Sequence, residues 1–292
     1  MHAWIPLALL PISPKRIKKI PGYPVEDQEL EALQTTHNII SYILRPLVDR
    51  PSLEDGYEMI CADEKVRMCM HWLCSWLADH MENARIHAIA TNRCPICTCP
   101  VDELGDLANP SHPSRPYNRY GAAFKNSEKG ILAADGVKQI NNALWHIPGI
   151  IPSDIAKPNL LHNIYLGILV HLMDWIQSFV KHHNCIMAFD HIWSRLPPYP
   201  GFIQPTKSYR SVTQWQGKEM RNLGRVILGV FTATLRRTTD QEKPKGTQTQ
   251  EFKQAIKCVR YLTDFHLMAQ YESHTIKTIQ YMREYLEKFH QY

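Results

Sequence analysis

The sequence predicts an α+β fold with strands and one helix over residues 1–92, an irregular cysteine-containing insertion over 93–158, and a mainly helical region over 159–292. Three observations carry this. Short apolar runs with strand-like alternation occupy the first third; a stretch rich in Pro, Asn, Ser and Gly with little periodicity covers 100–158; from residue 159 onward apolar residues recur at helical spacing.

Taken in order, "AWIPLALLP" is an apolar run of strand length that begins with no preceding turn or cap, as though the chain opened inside a fold. "SPKRIKKIPGYP" follows as a basic, proline-bounded loop. Leu30, Leu33, Ile40, Ile43, Leu44 and Leu47 then mark one helix that stops near Pro46. "GYEMICADEKVRMCMHWLCSWLAD" alternates about a polar "ADEK" turn and reads as a pair of strands, or a strand and a short helix. Within 100–158 only one short helix, near 128–144, is expected. The helical region divides into 159–183, 185–195, 214–237, 250–271 and 275–290, broken by "LPPYPGFIQP" and "TTDQEKPKGTQTQ". Trp72, Trp76, Trp175 and Trp193 are expected in the core. The chain has no internal repeat.

Composition narrows the function classes. With 33 basic and 28 acidic residues in 292, the net charge of +5 permits a polyanionic partner without requiring one. Eight cysteines are too sparse at this length for a disulfide scaffold, so a reducing, intracellular compartment is expected. The opening "MHAWIPLALLPIS" lacks a basic n-region and a small-residue cleavage site, and so does not read as a signal peptide. "LLHNIYLGILVHLMDWIQSF" is interrupted by His162, Asn163, His171 and Asp174, which a bilayer core would penalise; it predicts a buried helix and no membrane partner.

The chemistry of "NRCPICTCPVDELG" is that of sulfur at short range. Cys94 and Cys97 have the spacing at which two thiolates face one ion across a tight turn, and Cys99 offers a third sulfur. A closed zinc site needs a fourth ligand, and His87, His112 and His146 are the histidines near in sequence. Structural zinc and three metal-free buried cysteines both stay open; a redox pair is disfavoured, because Pro100 and a loop follow where a helix would be expected. Lys15, Arg16, Lys18 and Lys19 form a second cluster, cationic and compact. Lys207, Arg210, Lys218, Arg221 and Arg225 form a third, with Tyr209 and Trp215 among them. Such groups neutralise phosphates and stack on unpaired bases, or are simply solvated faces of loops and an amphipathic helix.

"CPICTCPVDELG", "KPNLLHNIYLGILVHLMDWIQSF", "LPPYPGF", "VTQWQGKEMRNLGRVILGV" and "RYLTDFHLMAQYESHT" together, in this order and spacing, resemble the transposases of Plavaka-type DNA transposons of fungi, related to the CACTA superfamily. The resemblance runs from about Ala3 to the C-terminus and rests on the ordered set, since no single segment is specific.

The resemblance implies a partial RNase H-like core, nuclear localisation, DNA as partner, and contacts with transposase subunits or with copies of itself. In an intact family member acidic residues hold two magnesium ions that drive cleavage and joining of DNA strands. It implies further that the first two acidic residues precede the strand resembled by "AWIPLALLP", so that the chain is a C-terminal part of such a transposase. The family carries Pro-Asp-Leu-Leu-His where this chain has Pro158, Asn159, Leu160, Leu161 and His162; an acidic metal ligand would thus be replaced by Asn159, with His162 adjacent. An asparagine before an apolar helix is also a good N-cap. His162 is expected to be a packed or hydrogen-bonded histidine, and Asp63, Glu64, Asp79 and Asp154 turn or cap residues, so no catalytic residue is assigned. The expected function is a truncated, catalytically incomplete transposase remnant. The alternative is a non-enzymatic, zinc-stapled DNA- or protein-binding module, and a third outcome is a chain left unstable by unpaired sheet edges.

Overall fold

The structure is a computed structural model that describes residues 22–49, 56–69, 72–107, 112–157, 159–198, 200–202, 208–212, 214–241 and 246–292. The "AWIPLALLP" run and the cations Lys15, Arg16, Lys18, Lys19 and Lys207 lie outside the described residues. The chain forms two compact units, Met1–Pro158 and Asn159–Tyr292.

In the first unit, helix α1 (Val25–Ile43) starts on Pro24, with Glu26 and Asp27 in its first turn, where carboxylates complement the helix dipole. Its buried positions Leu33, His37 and Ile40 are spaced by four and three residues and so share one face. Leu44 breaks it, and α2 (Arg45–Val48) restarts with Pro46 near its beginning, where a missing N–H costs nothing. Strands β1 (Tyr57–Ile60) and β2 (Val66–Cys69) form an antiparallel hairpin in which Tyr57 opposes Cys69. Glu64 takes a positive φ of 61° in its turn. The hairpin leaves Ile60, Val66 and Met68 exposed. Strand β3 (Trp76–Leu77) precedes α3 (His80–Ile86), whose N-cap Asp79 accepts from the Glu82 amide at 2.7 Å.

Residues 100–158 correct the expectation of a mostly irregular insertion. They contain α4 (Tyr117–Lys125), α5 (Lys129–Ala134) and α6 (Pro152–Ile155), and strand β4 (Ala156–Lys157), which pairs in parallel with β3. Helices of nine and six residues are too short for a 3.6-residue period to stand out, and aromatic residues rather than leucines carry their packing. Tyr117, Tyr120, Ala123, Leu132 and Val137 cluster with Ala84 and Ile89 of the α3 segment. Buried Arg115 ties the cluster together by donating to the carbonyls of Cys94 and Asp135 and to the Tyr120 hydroxyl. Two fully buried histidines fasten the rest. His37 donates from Nε2 to the Arg85 carbonyl at 3.0 Å and accepts at Nδ1 from the Ala143 amide at 3.2 Å, as a neutral ring does. His87 lies 2.8 Å from the Asn83 carbonyl and 2.9 Å from the Pro152 carbonyl. Burial lowers the pKa of both.

The second unit opens with a π-helix (Leu160–Ile168) that runs into α7 (Leu169–His182), and continues through α8 (Ile186–Trp193), α9 (Gly217–Gln241), α10 (Gly246–Met268) and α11 (Ile276–Gln291). Leu169, Leu172, Met173, Ile176 and Val180 of α7 meet Phe189 and Trp193 of α8 and Met220, Leu223, Ile227, Val230 and Phe231 of α9. Each such side chain contributes about 1.5–3 kcal/mol on burial. The helices of α9 and α10 approach closely at Gly224, where a Cβ would lie 2.8 Å from His266 Cε1 and 2.9 Å from Leu169 Cδ1. Two tryptophans expected in the core are on the surface: Trp72 is 47% and Trp175 52% exposed. Trp175 lies on the outer side of α7, its ring stacked on Phe289 of α11 at 6.3 Å. Among the described residues, no helix is long and apolar enough to cross a membrane.

Candidate functional site

Asn159 stands in an extended conformation (φ −101°, ψ 119°) at the head of the π-helix. Its side-chain oxygen accepts from the Leu161 amide at 2.7 Å, and its carbonyl accepts from the Asn163 amide at 2.9 Å. The amide oxygen is thus occupied in closing the first turn. His162 is exposed. The helix is kinked at Gly167, which takes a non-helical φ of −104° and ψ of −106°, and a Cβ there would sit 2.6 Å from the His162 carbonyl. Only glycine tolerates that approach. The other acids considered from sequence hold structure: Asp79 caps α3, Asp63 forms a bidentate pair with Arg67 at 2.6 Å across the hairpin turn, and Asp154 occupies the first turn of α6.

The cysteine loop is shaped by backbone pairing. The Thr98 amide donates to the Pro113 carbonyl and the Arg115 amide to the Ile96 carbonyl, both at 3.0 Å, so that 112–115 runs antiparallel beside 96–98. The Ile96 amide donates to Cys94 Sγ at 3.4 Å, which closes the turn. Burial pushes the Cys97 thiol up, helped by contact with Cys94, and burial followed by the nearby Glu103 carboxylate does the same to Cys99. His112 flanks this loop. Its Nε2 is buried and, among the described residues, makes no hydrogen bond, though it lies 3.4 Å from Glu103 Oε2. His87 and His146 are engaged elsewhere, His146 at 2.6 Å from Asn141 Oδ1. Among the described residues, no three Cys, His or carboxylate side chains converge as a preformed metal site.

The third cluster divides. Tyr209 is buried and its ring stacks on Trp215 at 4.9 Å, while the edge of Trp193 meets it at 6.0 Å, so its face is closed to a base. Arg210 pairs with Asp190. Lys218, Arg221 and Arg225, at spacings of three and four residues, share the exposed side of α9. Arg221 Nε donates to Gln270 Oε1 at 3.1 Å, and Gln270 Nε2 donates to His266 Nε2 at 3.2 Å, which fixes the guanidinium against α10. Sequence reading passed over Arg195 and Arg237, which the fold brings to the neighbourhood of Arg225. The charge is legible in the sequence, but their approach depends on how α8 and α9 pack.

No curated protein and no solved structure matches this chain. The description Plavaka transposase matches residues 1–176, which include the cysteine loop, Asn159 and most of α7. That match covers more than half of the 292 residues, and the chain therefore belongs to the Plavaka transposase family.

Proposed function

We propose that this chain is a transposase-derived protein, a catalytically incomplete remnant that binds DNA through the cationic side of α9 and does not cut or join strands on its own. The observation that carries the reading is Asn159. Two divalent ions on an RNase H-like core need anionic oxygen ligands, and at the position where the family resemblance implies one, this chain has a neutral amide whose oxygen closes a helix turn. Lys218, Arg221 and Arg225 supply phosphate-neutralising charge in a row.

The test is a plasmid-nicking and strand-transfer assay on the full chain with magnesium or manganese, beside DNA-binding titrations at rising salt. Salt-sensitive binding without nicking is expected. Magnesium-dependent cutting that co-purifies with the chain and disappears in the Asn159→Ala variant would refute the reading, as would an upstream in-frame continuation encoding two spaced aspartates and an active product.

A second reading is favoured by one observation, the orphaned Nε2 of His112. Three thiols and a buried imidazole in need of a partner are a donor set suited to zinc, so Cys94, Cys97, Cys99 and His112 would hold the ion as a structural staple of the first unit, and binding would draw them together with release of thiol protons. Metal analysis of the purified chain is expected to give one zinc per chain, lost in Cys97→Ser and in His112→Ala. A folded wild-type chain without zinc rules this out.

A further inference from the structure

Arg195, at the end of the turn after α8, and Arg225 and Arg237 of α9 line a single cleft of about 570 Å³ within the second unit. His191, Leu196 and Gly229 complete the part that matters, and none of the lining residues is a carboxylate. Val226, Val230 and Arg237, at steps of four and seven, fall on one face of α9, with Arg225 and Gly229 beside them. The cleft thus runs along this stretch of helix, with Arg225 toward one end and Arg237 toward the other.

Among the described residues, two features set the cleft apart from the rest of the unit. Like charges held at one site repel, whereas neighbouring arginines of this unit are satisfied, Arg210 by Asp190, Arg260 by Asp264 and Arg221 by Gln270. Gly229 lies in mid-helix, where glycine costs about 1 kcal/mol relative to alanine. Nothing lies within 4 Å of the place its Cβ would take. Unlike Gly224, it is not required by packing; its absence of a side chain keeps the cleft floor open. The positive field is felt by His191, whose pKa is lowered first by Arg195, then by burial and by Arg237.

We propose that this cleft is a phosphate site, in which Arg195 and Arg237 hold one phosphodiester of a nucleic-acid backbone over the open floor at Gly229, with Arg225 further along the same cleft to meet the next part of the strand. Guanidinium groups present forked donors that match phosphate oxygens, and an anion there lowers the local excess of positive charge. The site deepens the DNA-binding reading and rests on it: it extends the α9 row from exposed point charges to a fixed pocket that sets where the strand is held.

The experiment is fluorescence anisotropy of the full chain with a labelled duplex across a salt series, for wild type, the Arg195→Gln/Arg237→Gln double variant and Gly229→Leu. The double variant should bind about tenfold more weakly and lower the slope of log affinity against log salt by about 1, the share of one phosphate. Gly229→Leu fills the floor without changing charge and improves helix propensity; it should lose affinity to a similar extent with thermal stability retained or raised. Wild-type binding with both variants unchanged overturns the pocket and leaves the α9 row intact, whereas no duplex binding by wild type overturns the DNA reading itself. Inorganic phosphate is the competing arm. Displacement of the duplex only at millimolar phosphate is expected, and saturation of the cleft by micromolar free phosphate would make it a site for a free anion and overturn the backbone assignment.

Discussion

Acid should loosen the second unit through one imidazole, that of His266. It is fully buried on α10, with Tyr165 edge-on at 5.6 Å, and it accepts from Gln270. Burial pushes its pKa from 6.5 down to about 4, with Arg225 and Arg221 acting in the same direction against a backbone contact at Thr263. The unfolded chain takes up a proton near 6.5 and the folded chain only near 4, so the contribution is whole above 6.5 and is lost as pH falls through that window. Between pH 7.5 and pH 4.5 the difference amounts to about 2.5 kcal/mol. The assay is urea denaturation followed by tryptophan fluorescence at both pH values, for wild type and His266→Gln. The variant carries no titrating ring at this site and should lose about 2.5 kcal/mol less than wild type on acidification, whatever its stability at neutral pH. His37 and His87 titrate in both proteins and cancel in the comparison. Equal acid losses in the two proteins would refute the argument that this ring is held neutral by burial.

Other outcomes follow from packing. Arg115→Met fills similar volume but strands two acceptors, the carbonyls of Cys94 and Asp135, while the Tyr120 hydroxyl keeps its bond to the Asp135 carboxylate; at about 1–3 kcal/mol for each unsatisfied group, a loss of at least about 2 kcal/mol should appear in urea denaturation. Two glycines on one helix should respond in opposite directions in thermal unfolding. Gly224→Ala places a Cβ against His266 and Leu169, both fully buried, so overpacking of about 1–3 kcal/mol outweighs the helix gain of about 1 kcal/mol and Tm falls. Gly229→Ala meets open space and should raise Tm. Asn159→Asp retains a cap acceptor and adds a charge favourable at a helix start; its stability should change by no more than about 0.5 kcal/mol at neutral pH.

What the sequence determined by itself was what depends on neighbours in the chain. The helices after residue 159, the hairpin about "ADEK", the end of the first helix near Pro46 and the tight cysteine turn all follow from local spacing, and the ordered segments carried the family. Only the tertiary structure decided which of these groups meet. It gave Tyr117 and Tyr120 a shared core in a stretch whose composition reads as loop, and laid His112 beside a cysteine turn more than a dozen residues away. It closed Tyr209 against Trp215, left Trp72 and Trp175 at the surface, and gathered Arg195 with Arg225 and Arg237. The physical reason is that helical period and turn chemistry act over a few residues, whereas burial, charge proximity and an orphaned imidazole arise from chain crossings that no local pattern encodes.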